Sequence, residues 1–201
     1  VQSLDMAKQA ADAGADVIVA QGRDAGGHAG TIRGTFALVP AVVDAVAPLP
    51  VVAAGGIADG RGLAAALTLG AEGVLMGTRF AACRESLWAQ SMKEGVVAAS
   101  ADDTAQTRVF DIVRGAGWPD HFPGRAVRNA FFDAWHGREA ALVESRATAE
   151  AAYEGTATDD LSQRVLWAGE STDLVRDVPT AGEIVQRTVA QARAALDRYR
   201  A

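Results

Sequence analysis

The chain has 201 residues, 49% of them hydrophobic and 22% charged, a composition that fits one ordinary domain with a sizeable core. With 19 Lys+Arg against 25 Asp+Glu its net charge is -6, so neither nucleic acid nor an anionic membrane surface is expected as a partner. The single cysteine, Cys83, excludes an internal disulfide framework and suits a reducing, cytoplasmic compartment, and no apolar run is long enough to span a bilayer.

In chain order, "SLDMAKQAADAGA" predicts a helix capped by Ser3 and stopped at Gly14. "DVIVAQG" is a β-branched run without alternation, the pattern of a strand buried on both faces of a parallel sheet. After the glycine-rich "AQGRDAGGHAG", the stretch "TFALVPAVVDAV" predicts a helix, with Pro40 expected in its first turn or at a kink. "LPVVAAGG" predicts a second buried strand. "DGRGLAAALTLGA" predicts a helix capped by Asp59 and ended by Gly70, "EGVLMGT" a third strand, and Arg84 to about Ala99 another helix.

This alternation implies βα units and a parallel sheet. Beyond Ser100, "ADDTAQTRVF" and "GAGWPDHFPGRAVRN" are rich in turn residues and form an ordered excursion, with "HFPGRAVRN" a candidate for shaping the site from above. "NAFFDAWHGREAALVESRATAEAAYEG" is helical in composition. Val185, Val189, Ala192, Leu196 and Tyr199 form an apolar stripe on a closing helix expected to pack on the barrel. The expected division is residues 1–100 as βα units and 101–201 as a mainly helical extension.

All three strands run into glycine, and in parallel α/β folds the strand C-terminal ends carry the site. Gly55 and Gly56 after one strand, and Gly77 and Thr78 after the next, offer bare backbone N–H groups and a hydroxyl to an anion. Two such loops one helix apart point to a phosphate-bearing ligand; there is neither a GxGxxG after a strand nor a GxxxxGK[ST]. In the first loop Gln21 can donate to and accept from a ring edge, and His28 is placed to take a proton from a weak carbon acid or to hydrogen-bond an anion. The competing reading of His28 is a histidine that only satisfies a loop carbonyl. His121 and His136 suit no metal set, Cys83 reads as a small buried hydrophobe, and the Asp102-Asp103 and Asp159-Asp160 pairs read as turn or cap residues. Arg23 and Arg33 read as surface arginines that flank the histidine loop, and Ser171 as a residue able to reach back toward a cofactor.

"ADVIVAQGRDAGGHAG", "PVVAAGGIADGRGLAAALTLGAEGVLMGTRF" and "WAGESTDLVRDVPTAGEIV" together resemble the nitronate monooxygenase family, formerly called 2-nitropropane dioxygenases. The QG-x-[DE]-AGGH stretch is the most specific part. The resemblance implies an FMN-dependent TIM (β/α)8 barrel that oxidises alkyl nitronates, and sometimes nitroalkanes, with O2. It makes His28 the catalytic base, places Gln21 and Gly22 at the flavin, and gives Gly55, Gly56, Gly77 and Thr78 the FMN phosphate, with Ala54 completing the cofactor-binding set. Two alternatives remain: the related flavin enoyl-thioester reductase that uses NAD(P)H, and a phosphate-ligand-binding fragment without turnover. Only three of eight barrel strands are found, which makes "VIVAQG" strand six and the chain, starting at Val1 inside an αβ repeat, a C-terminal part of the barrel. Such a part exposes sheet edges and half a core, so poor folding or association into a homo-oligomer is expected.

Overall fold

The computed structural model describes residues 1–198. Ser3 caps α1 (Leu4–Asp12), its hydroxyl accepting from the Met6 amide, and Gly14 turns the chain out at φ 89°. Strand β1 (Ile18–Gln21) follows, then a two-residue strand β2 (Gly27–His28) inside the glycine loop. Helix α2 (Thr35–Val46) occupies the whole of the stretch expected for it. Pro40 is its sixth residue, past the first turn, and the helix continues through it. Strand β3 (Val51–Ala54), α3 (Gly60–Thr68, capped by Asp59) and β4 (Gly73–Leu75) complete the repeat.

β1, β3 and β4 form a parallel sheet in the order β1-β3-β4, with Ile18 opposite Val51 and Val52 opposite Gly73. The outer edge of β1 is also occupied: the Val1 amino group donates to Val19 O at 2.7 Å and Gln21 N donates to Val1 O at 2.9 Å. Ala7, Ile18, Leu38, Val39, Val42 and Val51 fill the core between this sheet and α1 and α2. The α/β class and the three βα strands are therefore as expected.

The helix expected from Arg84 is shorter than the sequence suggested. A one-turn helix α4 (Thr78–Ala81) follows β4, and α5 covers only Gln90–Ala98. Between them Arg84 N donates to Pro179 O, and the Ser86 hydroxyl accepts from Trp88 N. These tertiary and local side-chain bonds take the amides that a helix would use.

The excursion builds a second, antiparallel sheet. Strand β5 (Thr104–Thr107) leads into α6 (Val109–Arg114), and β6 (Gly124–Val127) returns beside it. The order is β2-β6-β5, so β6 lies directly on the histidine loop, with His28 opposite Gly124. Three short helices, α7 (Ala130–Trp135), α8 (Glu139–Glu144) and α9 (Arg146–Glu154), pack with α6 around Phe110, Phe131, Phe132 and Leu142.

The closing helix α10 (Ala181–Asp197) packs on α3 and buries Ala192 of the expected stripe, but it turns Val185 and Val189 outward. Ile184, Thr188 and Ala192 are buried, whereas Val185 is 51% and Val189 38% exposed. Tyr199 of the expected stripe lies outside the described residues. The cause is the approach to α3: a Cβ on Gly60 would stand 2.3 Å from Thr188 O and 2.4 Å from Ala192 N, so backbone meets backbone there and small side chains fit. No helix among the described residues is long and apolar enough to cross a membrane.

Candidate active site

The ends of β1, β3 and β4 open on one side into a cavity of about 300 Å³. Gln21, His28, Ala54, Gly55, Gly56, Gly77 and Thr78 all line it, so the sequence-predicted set converges apart from Gly22. Gly22 stands behind the wall, where its missing Cβ would lie 2.3 Å from Thr35 N. That closeness lets the Thr35 hydroxyl donate to Ala54 O at 3.0 Å and ties the first loop to β3.

Gly55 and Gly56 adopt φ of +104° and +69°, a region that disfavours any side chain, and turn the chain at the end of β3. Gly77 differs. Its φ is -82°, open to any residue, but a Cβ there meets no atom within 4 Å and would project into empty space. A bare backbone at a position that geometry leaves open to side chains fits a group that must come close. Thr78, beside it, accepts the Gly169 amide at 3.0 Å, and the 97%-buried Ser171 also lines the cavity. Beneath this loop the Arg79 guanidinium is anchored to Asp177 and to Ala82 O; burial lowers its pKa, opposed by Asp177. Burial pushes the Asp59 carboxyl at the start of α3 upward, but hydrogen bonds from the Arg61 side chain and the Gly62 and Arg61 amides outweigh it and hold the carboxyl below its usual value.

The histidine loop is held by its own backbone. Gln21 Nε2 and Gln2 Nε2 both donate to His28 O, at 2.8 and 3.0 Å, and Asp24 accepts the Thr35 amide at 2.6 Å. Gln21 thus spends its amide nitrogen on the loop. The His28 imidazole does more than satisfy a carbonyl. Its Nε2 stands 3.0 Å from both carboxylate oxygens of Asp111, its face stacks on Trp118 at 3.9 Å and 10°, and Trp167 lies tilted at 5.2 Å. "HFPGRAVRN" does reach the site, through the pairing of β6 with β2.

The sequence assigns no role to Asp111, and none to Trp118 or Trp167 beyond their place in the excursion and at the head of "WAGESTDLVRDVPTAGEIV". Asp111 is 83 residues from His28, in a short apolar helix that carries no motif. Arg23 and Arg33 are exposed and outside the cavity lining, and no cluster among the described residues could hold a metal ion. His121 packs on Phe122 and His136 on Phe132.

A parallel sheet with a glycine cradle and an imidazole at its adjacent strand ends has its candidate site where parallel α/β enzymes carry theirs. The particular relationship is equally plain: the chain belongs to the nitronate monooxygenase family, whose sequence pattern it matches over residues 1–191. It is 43% identical over 193 residues to nitronate monooxygenase npaC of Metarhizium robertsii, which covers 90% of this chain and 53% of that protein. Its structure is similar to FabK from Thermotoga maritima, with 34% identity and a TM-score of 0.82 over 98% of this chain and 61% of that one. Nitroalkane oxidase from Streptomyces ansochromogenes is also similar, at 31% identity and TM-score 0.76 over 98% of this chain and 58% of that one. The chain spans about half the length of the curated relatives it matches.

Proposed function

We propose that this chain is the C-terminal part of an FMN-dependent (β/α)8 barrel that oxidises alkyl nitronates with O2 to carbonyl compounds and nitrite. In this reading β1, β3 and β4 are barrel strands six to eight, residues 1–100 supply the βα units, and residues 101–201 pack on them as the extension. The setting is cytoplasmic, and the protein associates into a homo-oligomer.

The observation that carries the proposal is that the cradle and His28 face one cavity. FMN fits the residues present: backbone at Gly55, Gly56 and Gly77, with Thr78, would hold its phosphate, and Ala54 and Gln21 would lie along it, with Gly22 shaping the loop behind. When bound, the flavin supplies the redox chemistry. His28 removes the α-proton of a nitroalkane or hydrogen-bonds the nitronate oxygens. Trp118 stacks on its ring, and Trp88, Trp167 and Ile57 give the cavity wall an apolar lining for the alkyl part of the substrate.

Oxygen uptake by the flavin-loaded protein with pre-formed ethyl nitronate tests this reading; a flavin-loaded protein that leaves oxygen untouched refutes it. The likeness to FabK favours a second reading, a flavin enoyl-thioester reductase, for which anaerobic bleaching of the flavin by NADH or NADPH is the expected result. A folded protein that retains no flavin leaves only the third reading, a phosphate-ligand-binding fragment.

A further inference from the structure

Asp111 is an unusual residue to bury. Its carboxylate is 8% exposed, and the His28 ring is its sole hydrogen-bond partner among the described residues. A buried carboxylate with one imidazole is weak as a stabilising device, because desolvation offsets most of the attraction. Yet its position is rigidly enforced. Val109, Phe110 and Val113 on the same helix are 0% exposed, so α6 cannot rotate or slide without opening the core. The ring is held from other directions as well. Trp118 covers one face, and β6 crosses at Gly124, where a Cβ would come within 3.3 Å of Nε2 and 2.3 Å of Trp167.

We propose that Asp111 is the positioning residue for His28: it fixes the proton on Nε2, leaving Nδ1 as the base, and so enables the protein to use neutral nitroalkanes in addition to nitronates. This rests on the oxidase reading above. An ionised carboxylate can only accept, so the nitrogen facing it carries hydrogen. Nδ1 then holds the lone pair, and no hydrogen bond among the described residues engages it. In the step that follows, the Cα–H bond of the nitroalkane breaks and its proton passes to Nδ1. The electron pair moves into the new C=N bond, and the negative charge settles on the two nitro oxygens. The imidazolium so formed lies against the Asp111 carboxylate, which stabilises it without taking the proton. A nitronate arrives already deprotonated and needs none of this. The proton-transfer function of Asp111 is therefore visible only when the two substrate forms are compared.

The test measures oxygen uptake by the flavin-loaded protein with nitroethane and with pre-formed ethyl nitronate, before and after Asp111→Asn. The carboxamide has the same shape but can donate to Nε2 and favour the wrong tautomer. The ratio of kcat/KM for nitroethane to that for ethyl nitronate should fall by about 10²-fold, the scale of general-base catalysis. An unchanged ratio, including one in which both activities fall together, overturns the proposal as a merely structural role would. A second arm needs no turnover. In the flavin-free protein with 15N-labelled histidine, the His28 resonance should report a proton on Nε2, and the Asn variant should lose that bias. A parent resonance with the proton on Nδ1 overturns the proposal. Failure of both substrates to consume oxygen would sink the oxidase reading, and the NMR arm would still decide Asp111.

Discussion

Gly77→Val separates the two things a glycine can do at a strand end. The backbone there has φ of -82° and ψ of -67°, which valine adopts without strain, and a Cβ would meet no protein atom within 4 Å. The folded state therefore loses nothing, and the variant should unfold within about 0.5 kcal/mol of the parent, as for a substitution outside the core. The two methyl groups, however, would extend into the hollow assigned to the phosphate. If they displace two charge-assisted hydrogen bonds, worth about 1.5–3 kcal/mol each, affinity should drop by at least ~3 kcal/mol, or about 10²-fold in Kd. Titration by flavin fluorescence quenching reads this directly. Riboflavin, which has no phosphate, supplies the control: the parent's preference for FMN over riboflavin should collapse in the variant. A folded Gly77→Val protein that binds FMN as tightly as the parent would refute the placement of the phosphate. Gly55→Ala is the converse case. There φ of +104° and a Cβ contact of 2.8 Å with the Thr35 hydroxyl strain the fold itself, at a cost of about 1–3 kcal/mol, so thermal melting should reveal it before any ligand is added.

Gly60→Val should destabilise the protein by at least about 1–3 kcal/mol in denaturant titrations, because its Cβ would lie 2.3 Å from Thr188 O and force α10 off α3. Leu142→Ala, at a fully buried position beside Phe110, should cost about 2–5 kcal/mol in the same assay. The Asp177 carboxyl, held below its usual value first by the Arg187 hydrogen bond, contributes stability above the ordinary carboxylate range and loses it as pH falls through the depressed folded value. Asp177→Asn should therefore flatten the acid limb of the stability curve while leaving its neutral-to-basic slope alone, as read by Tm against pH.

What the sequence made legible was local. The stretch "TFALVPAVVDAV" becomes α2 without loss of a residue, Ser3 and Asp59 cap the helices expected of them, and the three expected strands pair in parallel. These follow from capping, periodicity and β-propensity, all of which act within a few residues. The errors are tertiary. For α10 the 3.6-residue period and Ala192 were right, and Val185 and Val189 were wrong: valine outranks threonine on any hydrophobic scale, but the surface met is α3 at Gly60, where a bare backbone selects Thr188. At Arg84–Ala89 good helix formers lost to a bond that Arg84 N donates to the Pro179 carbonyl, almost a hundred residues away.

The candidate site divides along the same line. Its cradle consists of main chain at Gly55, Gly56 and Gly77, and main-chain sites are announced by glycines in the sequence, because only the missing side chain makes them. The pair that would move a proton is of another kind. His28 and Asp111 meet because a two-residue strand pairs with β6, and β6 in turn with β5, which delivers α6. No motif marks Asp111 as a site residue. The distinction comes from Val109, Phe110 and Val113, which turn its helix inward on a core of its own. An anion site can thus be carried by loops that each fold locally, whereas an oriented base requires two cores to be in register. The sensitive part of the chemistry then lies in the packing of the excursion, so core substitutions there should disturb proton transfer before they disturb binding of the phosphate.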